Sequence, residues 1–544
     1  MRYLLSILFL FAASQVTFGQ TEGNSLQIHG DIQFDAQYYR ADSLIGAPEV
    51  PEKILSNAVG NFIATYGNFT AGLRYESYLG PLQGIDPRFR GSGFPYRFVT
   101  YSDNRFTFTI GNFYEQIGSG IILRTYEDRN LGFDNSIDGV RLKMKVINGV
   151  SVKGFVGRQR TFFDLSPAII RGGDIEVVVN ELDSNISIPG QLIIGAGAVS
   201  KFQRDEDPSL ILPENVGAVS GRFNWVFPSL NIYGEYAYKA NDPSLTNNFR
   251  YNRGESAFLT ISYTKKRFGL SVSGKRVDNM DFRADRNAVG NNLNINYLPA
   301  LTKQHTYALA GTIYPYAIQP LGEMSGQIEL TYNLPKGSAL GGKYGTSILV
   351  NLSGVNNIQR NALNDDSTTR IGYESPFFGI GKQKYFRDYN IEISRKLSDK
   401  VKASVTYLHL FYDIDVIRGL SSQGTVTADI AIADVTWKVS KKHILRFEGQ
   451  TLQTQQDLGS WAMGLIEYSF GSKFYAAIID QYNYGNKIAD QQIHYITGNF
   501  GVNLNTTNIR CSFGRQRAGI VCVGGVCRNV PASNGVQISV TSSF

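Results

Sequence analysis

The residues best suited to chemistry are few and scattered along the chain. The 544 residues include five histidines, and no two of them have the H-x-x-x-H or H-E-x-x-H spacing that holds zinc. There is also no G-x-S-x-G sequence, so the strand-to-helix turn that presents a nucleophilic serine is not predicted. A serine and histidine site assembled from neighbouring strands would leave no such motif, and it stays an alternative. We therefore predict no metal, no cofactor and no enzymatic activity.

One glycine-rich stretch comes close to a phosphate-binding loop. The sequence from Gly337 to Tyr344 is G-S-A-L-G-G-K-Y, and Tyr344 stands where the motif needs a hydroxyl for magnesium. The motif also requires a helix whose N-terminus faces the phosphate, whereas the following residues Thr346–Ser353 alternate like a β-strand. This stretch is therefore predicted to be a turn between two strands.

Two of the three cysteines are spaced for a disulfide bond. Cys522 and Cys527 flank the sequence V-G-G-V, and a two-residue turn at Gly524-Gly525 would place them opposite each other in a hairpin. Disulfides form in compartments outside the inner membrane. We predict a bond between Cys522 and Cys527 at a hairpin tip, whereas Cys511 alternates with apolar neighbours and is expected to face lipid.

The elements that must position these residues are short segments in which apolar and polar residues alternate. In the last segment Val536, Ile538, Val540 and Phe544 fall on one face, and the chain stops at that aromatic residue. The pattern is typical of the final strand of an outer-membrane β-barrel, where the apolar face meets lipid and the aromatic lies at the interface. An edge strand of a soluble sheet is the alternative. These four residues are our predicted insertion signal.

The connections between about 24 such segments (22 to 26) alternate in length. Connections from even to odd segments are tight turns, except 181–191 and 335–345. Connections from odd to even segments are often long, and the long ones are 41–58, 79–95, 114–139, 279–325 and 354–384. Bacterial outer-membrane barrels alternate in this way, with short periplasmic turns, long outer loops and both termini in the periplasm. We predict a transmembrane antiparallel β-barrel in the outer membrane.

The N-terminal residues predict export. In residues 1–19, Arg2 precedes an apolar run that is too short to span a bilayer, as in a secretory signal peptide. Cleavage before Gln20 would leave one barrel domain, 20–544, whose first strand starts at Leu26 and leaves no room for an N-terminal plug domain. No later apolar run reaches the length of a membrane-spanning helix, which excludes a helical membrane protein.

Composition agrees with a barrel in which only alternate residues face lipid. Apolar residues make up 42% of the chain, mean hydropathy is −0.17, and 31 Tyr and 33 Phe suit aromatic girdles. The net charge of +7 is spread out, with no basic run longer than Lys265–Arg267. Nucleic acid is therefore not an expected partner.

Two stretches of the chain carry a family resemblance. They are G-N-F-Y-E-Q-I-G-S-G at Gly111–Gly120, continuing through Leu123–Arg129, and N-Y-L-P-A-L-T-K-Q-H at Asn296–His305. Both resemble a family of Bacteroidota outer-membrane barrels without an assigned activity. The resemblance implies a porin-like barrel over nearly the whole mature chain; it implies no catalytic residues and names no substrate.

The polar face of each strand should line the lumen. Basic residues on segments 5 to 7 are predicted to form one wall, with acidic residues facing inward elsewhere. A merely solvated interior is one interpretation, and a charged pore that orders or selects solutes is the other. The basic wall comprises Arg105, Arg141, Lys143, Lys145 and Lys153, and the inward acids are Asp31, Asp35, Glu329, Glu448 and Glu467.

The longest connection, Asn279–Ser325, is the candidate constriction. A 24-strand barrel without a plug would leak, and a long loop rich in aromatics and prolines needs a surface to bury against. We predict that this loop folds into the lumen, where the basic wall can pair with Asp281 and Asp285 or with anionic cargo. The candidate constriction residues are Asp281, Asp285, Tyr297, Pro299, Lys303, His305, Tyr307 and Tyr314.

These expectations favour a passive or gated channel for hydrophilic cargo, porin-like in class. One alternative is a structural or machinery barrel that binds a partner lipoprotein or an export component, and a third is an outer-membrane enzyme. A TonB-driven receptor is disfavoured because that class needs a plug domain before the barrel. Expected partners are outer-membrane lipid, the barrel assembly machinery during insertion and, for the second hypothesis, a periplasmic or lipoprotein partner.

Overall fold

The computed structural model describes residues 25–129, 131–363, 370–523 and 526–544, so the predicted signal peptide lies outside the described part. Twenty-four strands form one antiparallel sheet in which each strand pairs with the next in the chain. The sheet closes on itself because β1 (Gln27–Arg40) also pairs with β24 (Ser533–Ser543), with Phe34 opposite Val540. The predicted antiparallel barrel and its strand number are confirmed.

The remaining strands follow the predicted segments in chain order. They are β2 Ile54–Tyr66, β3 Phe69–Gly80, β4 Gly91–Ser102, β5 Phe106–Phe113, β6 Ile137–Ile147, β7 Val150–Thr161, β8 Asp164–Val178, β9 Gln191–Phe202, β10 Asn215–Val226, β11 Leu230–Lys239, β12 Gly254–Lys265, β13 Phe268–Asp278, β14 Gly322–Leu334, β15 Thr346–Ile358, β16 Ile380–Lys396, β17 Val401–Asp413, β18 Thr425–Lys438, β19 His443–Gln453, β20 Trp461–Phe470, β21 Phe474–Tyr482, β22 His494–Leu504 and β23 Thr507–Gln516.

Side-chain alternation sets which face of each strand points outward. On β1, Ile28 and Tyr38 are exposed on the outer face, whereas Gln37 and Tyr39 are buried on the inner one. The closed ring leaves no sheet edge. A sheet that spans a bilayer must be closed in this way, because the hydrocarbon offers no partner for unpaired backbone N–H and C=O groups. None of the helices in these described ranges is long and apolar enough to cross a membrane.

The last strand has the predicted faces. Val536 and Ile538 are exposed on the outer face of β24, and Val540 lies opposite Phe34 of β1 and Ile509 of β23. The ring of Phe544 lies 6.0 Å from that of Phe62, between ring centroids, on the same outer face. The residues of the predicted insertion signal therefore join the two sides of the barrel seam.

The two ends of the barrel differ in their connections. The connections 67–68, 148–149 and 266–267 are two-residue turns, with longer ones at 179–190 and 335–345 on the same end; we call this the turn end. The opposite end, the loop end, carries the long connections, which include 41–53, 81–90, 114–136, 279–321 and 359–379. Gly337–Tyr344 lies in a turn before β15, as predicted, and not before a helix.

One strand boundary was predicted wrongly by a large margin. The alternation in the sequence predicts that this strand, β8, begins at Ile175, whereas in the structure it begins at Asp164, so the loop-end connection between β7 and β8 is only residues 162–163. Pro167 and the two glycines at 172–173 hide the alternation in the sequence. Pro167 lies opposite the point where the pairing register with β7 shifts, between Arg158 and Arg160. Proline has no backbone N–H to donate, so within a sheet it is tolerated at such an irregularity.

Two long connections turn back into the barrel. We call residues 114–136 the first inner segment and residues 279–321 the second inner segment. Their apolar side chains join inward-facing wall residues in two hydrophobic clusters. Ile121 and Phe282 pack in a cluster with Val199 of β9, while Leu309 packs in the other with Leu408 of β17. The loop-end half of the lumen is therefore a packed protein core in the described structure.

Candidate functional site: the lumen and its inner segments

Three buried lysines hold the first half of the second inner segment. Lys201 of β9 donates to the backbone oxygen of Arg283 at 2.9 Å, and Lys239 of β11 and Lys275 of β13 donate to those of Asp281 and Pro299. Asp242 lies 2.7 Å from Lys201 Nζ and Glu323 lies 2.8 Å from Lys275 Nζ, so the charges are paired as well. Buried ammonium groups need such partners, and their loss is costly.

The second half of this segment binds strands further along the wall, from β16 to β19. His305 Nε2 lies 2.7 Å from the buried Asp388 carboxylate of β16. Lys303 Nζ donates to Asn390 at 3.2 Å and lies 3.6 Å from Glu392. A buried glutamine extends the contact to β19, since Gln450 accepts from the backbone amide of Leu309 at 2.9 Å.

The remaining constriction residues are placed by local contacts. Tyr297 lies under the Arg124 guanidinium, 4.2 Å from its carbon to the ring centroid. Tyr307 packs, half-buried, against the second hydrophobic cluster, and Tyr314 is buried with its ring 5.4 Å from that of Tyr412. The structure thus brings most of the predicted constriction residues into the lumen.

The first inner segment is bound by charge. Glu115 lies among three cations of the basic wall, with its oxygens 3.5 Å from Arg141, 2.9 Å from Lys143 and 3.1 Å from Lys153. The Glu115 side chain is only 4% exposed, so water screens these contacts poorly. Lys153 also lies 3.6 Å from Asp174. Three of the five basic-wall residues therefore lie within ion-pair distance of carboxylates of the same chain.

This arrangement corrects a predicted pairing. The basic wall was expected to pair with Asp281 and Asp285, but Asp281 binds Arg283 at 2.9 Å and Asp285 accepts from Gln203 at 3.2 Å. Both acids lie next to the anchoring lysines at the loop end, whereas the basic wall extends to the turn end. The carboxylate that reaches the wall is Glu115, in a connection without strand periodicity.

A second charge network joins the same inner segment to β3 and β7. Arg74 lies 2.7 Å from Glu127 and 3.0 Å from Asp134, and Arg160 lies 2.5 Å from both Asp134 and Glu76. Both guanidinium groups are almost fully buried. Because guanidinium–carboxylate hydrogen bonds have a defined geometry, these pairs fix the position of the first inner segment against the wall.

Burial and neighbouring cations set the ionisation of the inner carboxylates. Burial alone would raise the pKa of Glu115, but Lys153 and Lys143 outweigh it and hold that pKa below its ordinary value of 4.5. Burial and Arg283 compete in the same way at Asp281, and the result is a lowered pKa. Both groups are therefore negative at neutral pH.

The two stretches that carry the family resemblance meet inside the barrel. The backbone amide of Arg124 donates to Ile295, and that of Tyr297 donates to Gly120, both at 2.9 Å. The side chain of Asn296 donates to the backbone oxygen of Ile121 at 3.0 Å. The two inner segments therefore hold each other as well as the wall.

The turn-end half of the lumen is polar and has two differently charged walls. On the basic wall a cavity of about 620 Å³ is lined by Arg105, Lys143, Lys145 and Lys153, together with three carboxylates. Strand β6 of this wall and β18 are twelve strands apart in the closed ring, so they face each other. The inner faces around β18 carry the acids Glu329, Glu392, Asp434, Glu448 and Glu467.

The predicted inward acids therefore divide into two groups. Glu329 of β14, Glu448 of β19 and Glu467 of β20 belong to the acidic strands around β18, where Arg446 binds Glu448 and lies 2.8 Å from Asp434. The other two are on β1. Asp31 accepts from Asn61 and lies 3.8 Å from Arg129, and Asp35 accepts from Gln33 at 2.8 Å.

The disulfide-bonded hairpin covers the second inner segment. A bond joins Cys522 and Cys527 across a pair of short strands, Gly519–Val523 and Val526–Val530, whose connecting glycines lie outside the described residues. The backbone oxygen of Cys522 accepts from Gln304, and that of Cys527 accepts from Asn291 at 2.6 Å. The hairpin thus rests on the inner segment instead of extending into solvent.

Among the described residues there is no cluster of His, Cys, Asp or Glu that could hold a metal ion. The histidine rings at 305, 409 and 494 bind aspartates, and no serine hydroxyl bonds to a histidine ring in the same ranges. Sequence reasoning missed Glu115 and the lysines at 201, 239 and 275, which bind the inner segments to the wall.

A model of a family of unknown function, DUF6029, matches residues 1–544. The chain belongs to this family. No curated protein matches the sequence. Among solved structures, the PapC translocation pore of the P pilus usher is 9% identical, with TM-score 0.44, and the match covers 96% of this chain and 99% of that one. The siderophore receptor PirA from Pseudomonas aeruginosa is 10% identical, with TM-score 0.40, over 96% and 81%. The ferric enterobactin receptor PfeA is 11% identical, with TM-score 0.42, over 96% and 82%. These similarities concern barrel architecture alone.

Proposed function

We propose that this protein is an outer-membrane channel for hydrophilic solutes that its own inner segments hold closed at the loop end. One observation carries the proposal. The second inner segment is bound along the inner wall from β9 to β19, by Lys201, Lys275, Asp388 and Gln450 in turn, and backbone hydrogen bonds join it to the first inner segment. A segment bound in this way blocks the loop end, while a polar lumen remains at the turn end.

The direction of the barrel follows from its connections. Outer-membrane barrels place short turns in the periplasm and long loops outside the cell. We therefore propose that the turn end and both termini face the periplasm. The closed loop end would then face the exterior, where the inner segments would control the entry of solutes.

Planar-bilayer conductance tests the proposal. Deleting residues 287–315 removes the contacts of Pro299, His305 and Leu309 with the wall, so single-channel conductance should rise above that of the wild type. The matched control is deletion of residues 338–341 in the turn before β15, outside both inner segments. Heat-modifiable migration establishes that each variant has folded. Unchanged conductance after the first deletion contradicts the proposal.

Charge preference is expected to depend on the unpaired part of the basic wall. Arg105 and Lys145 have no carboxylate within ion-pair distance in the described structure, unlike Arg141, Lys143 and Lys153. Neutralising Arg105 and Lys145 in the deletion variant should shift the reversal potential towards cations. The control variant carries Lys265→Gln and Arg267→Gln, at the turn between β12 and β13 at the turn end. An equal shift of the reversal potential in this control would show that the effect is not specific to the lumen.

A barrel that binds a partner is the second candidate. It is favoured by the polar lumen at the turn end, where cavities of about 620 Å³ and 510 Å³ follow the basic wall and present a concave charged surface. A periplasmic or lipoprotein partner could occupy this space. Affinity purification in mild detergent followed by mass spectrometry tests it. A stoichiometric partner that keeps the deletion variant from conducting would favour this candidate over the channel.

A further inference from the structure

A separate cavity of about 300 Å³ lies at the loop-end side of the lumen, beside the seam between β1 and β24. The inner faces of β1, β2, β3 and β24 form its outer wall. Phe133 of the first inner segment and Arg528 of the disulfide-bonded hairpin form its inner side. Its volume is at the lower end of the roughly 300–1,000 Å³ typical of small-molecule sites.

Amide side chains supply much of the polar lining. They come from β1, β2, β23, β24 and the connection 81–90, and they are Gln33, Gln37, Asn57, Gln83, Gln516 and Gln537. Gln37 is only 8% exposed, and neither its amide nor that of Gln537 bonds to another residue in the described part of the chain. The donors and acceptors of these two amides are therefore available to a molecule or to water in the cavity.

Two charged groups in the cavity also lack complete partners. The Nε and Nη1 atoms of Arg528 are buried and have no hydrogen-bond partner among the described residues. Asp35 accepts from Gln33 but has no cation within ion-pair distance in the same ranges. By contrast, Glu76 and Asp134 are bound by Arg160. Donors and acceptors that are still available therefore face the same small space.

The net charge of the lining argues against a strongly ionic ligand. Four carboxylates and three guanidinium groups line the cavity, so their charges almost cancel. Aromatic surface is present as well, since Tyr78 and Phe89 both line it with ring centroids 5.1 Å apart. The site thus offers alternating donors and acceptors beside apolar ring faces.

We propose that this cavity binds a short neutral saccharide. Each sugar hydroxyl both donates and accepts a hydrogen bond. The amides of the lining can do both, the carboxylate accepts and the guanidinium donates, so together they can pair with the hydroxyls of a sugar. The apolar face of a sugar ring suits the aromatic part of the lining. An inorganic anion would leave the amide oxygens and Asp35 without donors, and a cation would meet Arg528.

Saturation-transfer NMR on the full chain in a detergent without a sugar headgroup tests the inference. The probes are maltose, cellobiose and lactose, with inorganic phosphate and triglycine as the anionic and peptide comparators. At least one disaccharide should receive saturation from the protein. Gln37→Leu and Gln537→Leu should each weaken its affinity at least about fivefold, as the loss of one or two hydrogen bonds implies.

The matched control is Gln27→Leu, because Gln27 lies on the same inner face of β1 but at the turn end, outside the cavity. Its affinity should equal that of the wild type. If Gln37→Leu does not fold, Gln537→Leu decides, since that side chain is half-exposed. Binding of phosphate or triglycine alone, no binding of any disaccharide, or equal weakening by Gln27→Leu would each overturn the inference. Binding is measured without a bilayer, so its outcome is independent of the channel proposal.

Discussion

Replacing Lys275 with methionine should release the second inner segment from the wall. The Lys275 ammonium lies 2.8 Å from Glu323, both side chains are fully buried, and the lysine also donates to the backbone oxygen of Pro299. Methionine keeps the length and the apolar stem of the side chain but removes the charge and the donor. Among the described residues, the carboxylate of Glu323 would then keep the hydroxyls of Tyr316 and Ser325 and the backbone amide of Gln319 as donors.

The size of the effect follows from the burial of this pair. Removing one partner of a buried ion pair costs about 3–5 kcal/mol, because the other charge stays buried and uncompensated. That cost would shift the equilibrium between the docked and released segment by between roughly 100-fold and several thousand-fold. Adding Glu323→Gln removes the orphaned charge while keeping an acceptor for Tyr316. The double variant should therefore recover most of the loss.

Limited proteolysis measures the release. Arg283 and Arg286 are buried and Lys303 is largely covered, so trypsin should cleave the wild-type segment slowly and the Lys275→Met variant much faster. Lys145→Met is the control, since Lys145 lies in the same lumen without an ion-pair partner in the described structure. Wild-type cleavage rates for Lys275→Met, or no recovery with Glu323→Gln, would refute the reasoning.

Three further results are expected. Deletion of Phe544 and the substitution Val540→Asp should each lower the amount of the protein in the outer membrane. A charge that faces mid-bilayer lipid costs about 2–4 kcal/mol for Arg or Lys and less for Asp. Unchanged yield and unchanged heat-modifiable migration would contradict this prediction. Mass mapping without reductant should find Cys522 linked to Cys527, and two free thiols would contradict it; the short loop implies a small effect on stability. Acid should release the first inner segment from the wall. The folded state lowers the pKa of Glu115, so the ionised carboxylate stabilises the docked segment above pH 4.5, and this stabilisation is lost as pH falls through the folded pKa. Glu115→Gln should remove this acid step in conductance recordings.

The barrel could be predicted from the sequence because its evidence is local. Alternation along each strand and the length of each connection are properties of neighbouring residues. The final strand with Val536 and Ile538 illustrates this, since its outward face needs no knowledge of other strands. β8 was the exception, because Pro167 and the two glycines at 172–173 hide the alternation before Ile175.

The inner contacts could not be predicted in the same way. Glu115 lies in a connection without periodicity, and its three partners come from β6 and β7, so only the folded chain brings them together. One local clue was available. The inward face of β18 carries Val426, Ala428, Ile430 and Ile432 towards the loop end, and all four are buried. A water-filled lumen would not favour apolar side chains there, so this face already indicated that something packs against it.

The position of Glu115 changes what the basic wall can do. With the first inner segment docked, its Glu115 carboxylate lies among Arg141, Lys143 and Lys153 and partly compensates them, whereas Arg105 and Lys145 have no carboxylate within ion-pair distance in the described structure. Releasing that segment would remove the Glu115 carboxylate from all three of these cations. Charge selectivity and closure would then be coupled, because the group that holds the segment in place also neutralises the wall. A solute anion that competes for these cations would favour the released segment, since a ligand shifts an equilibrium by its differential affinity for the two states.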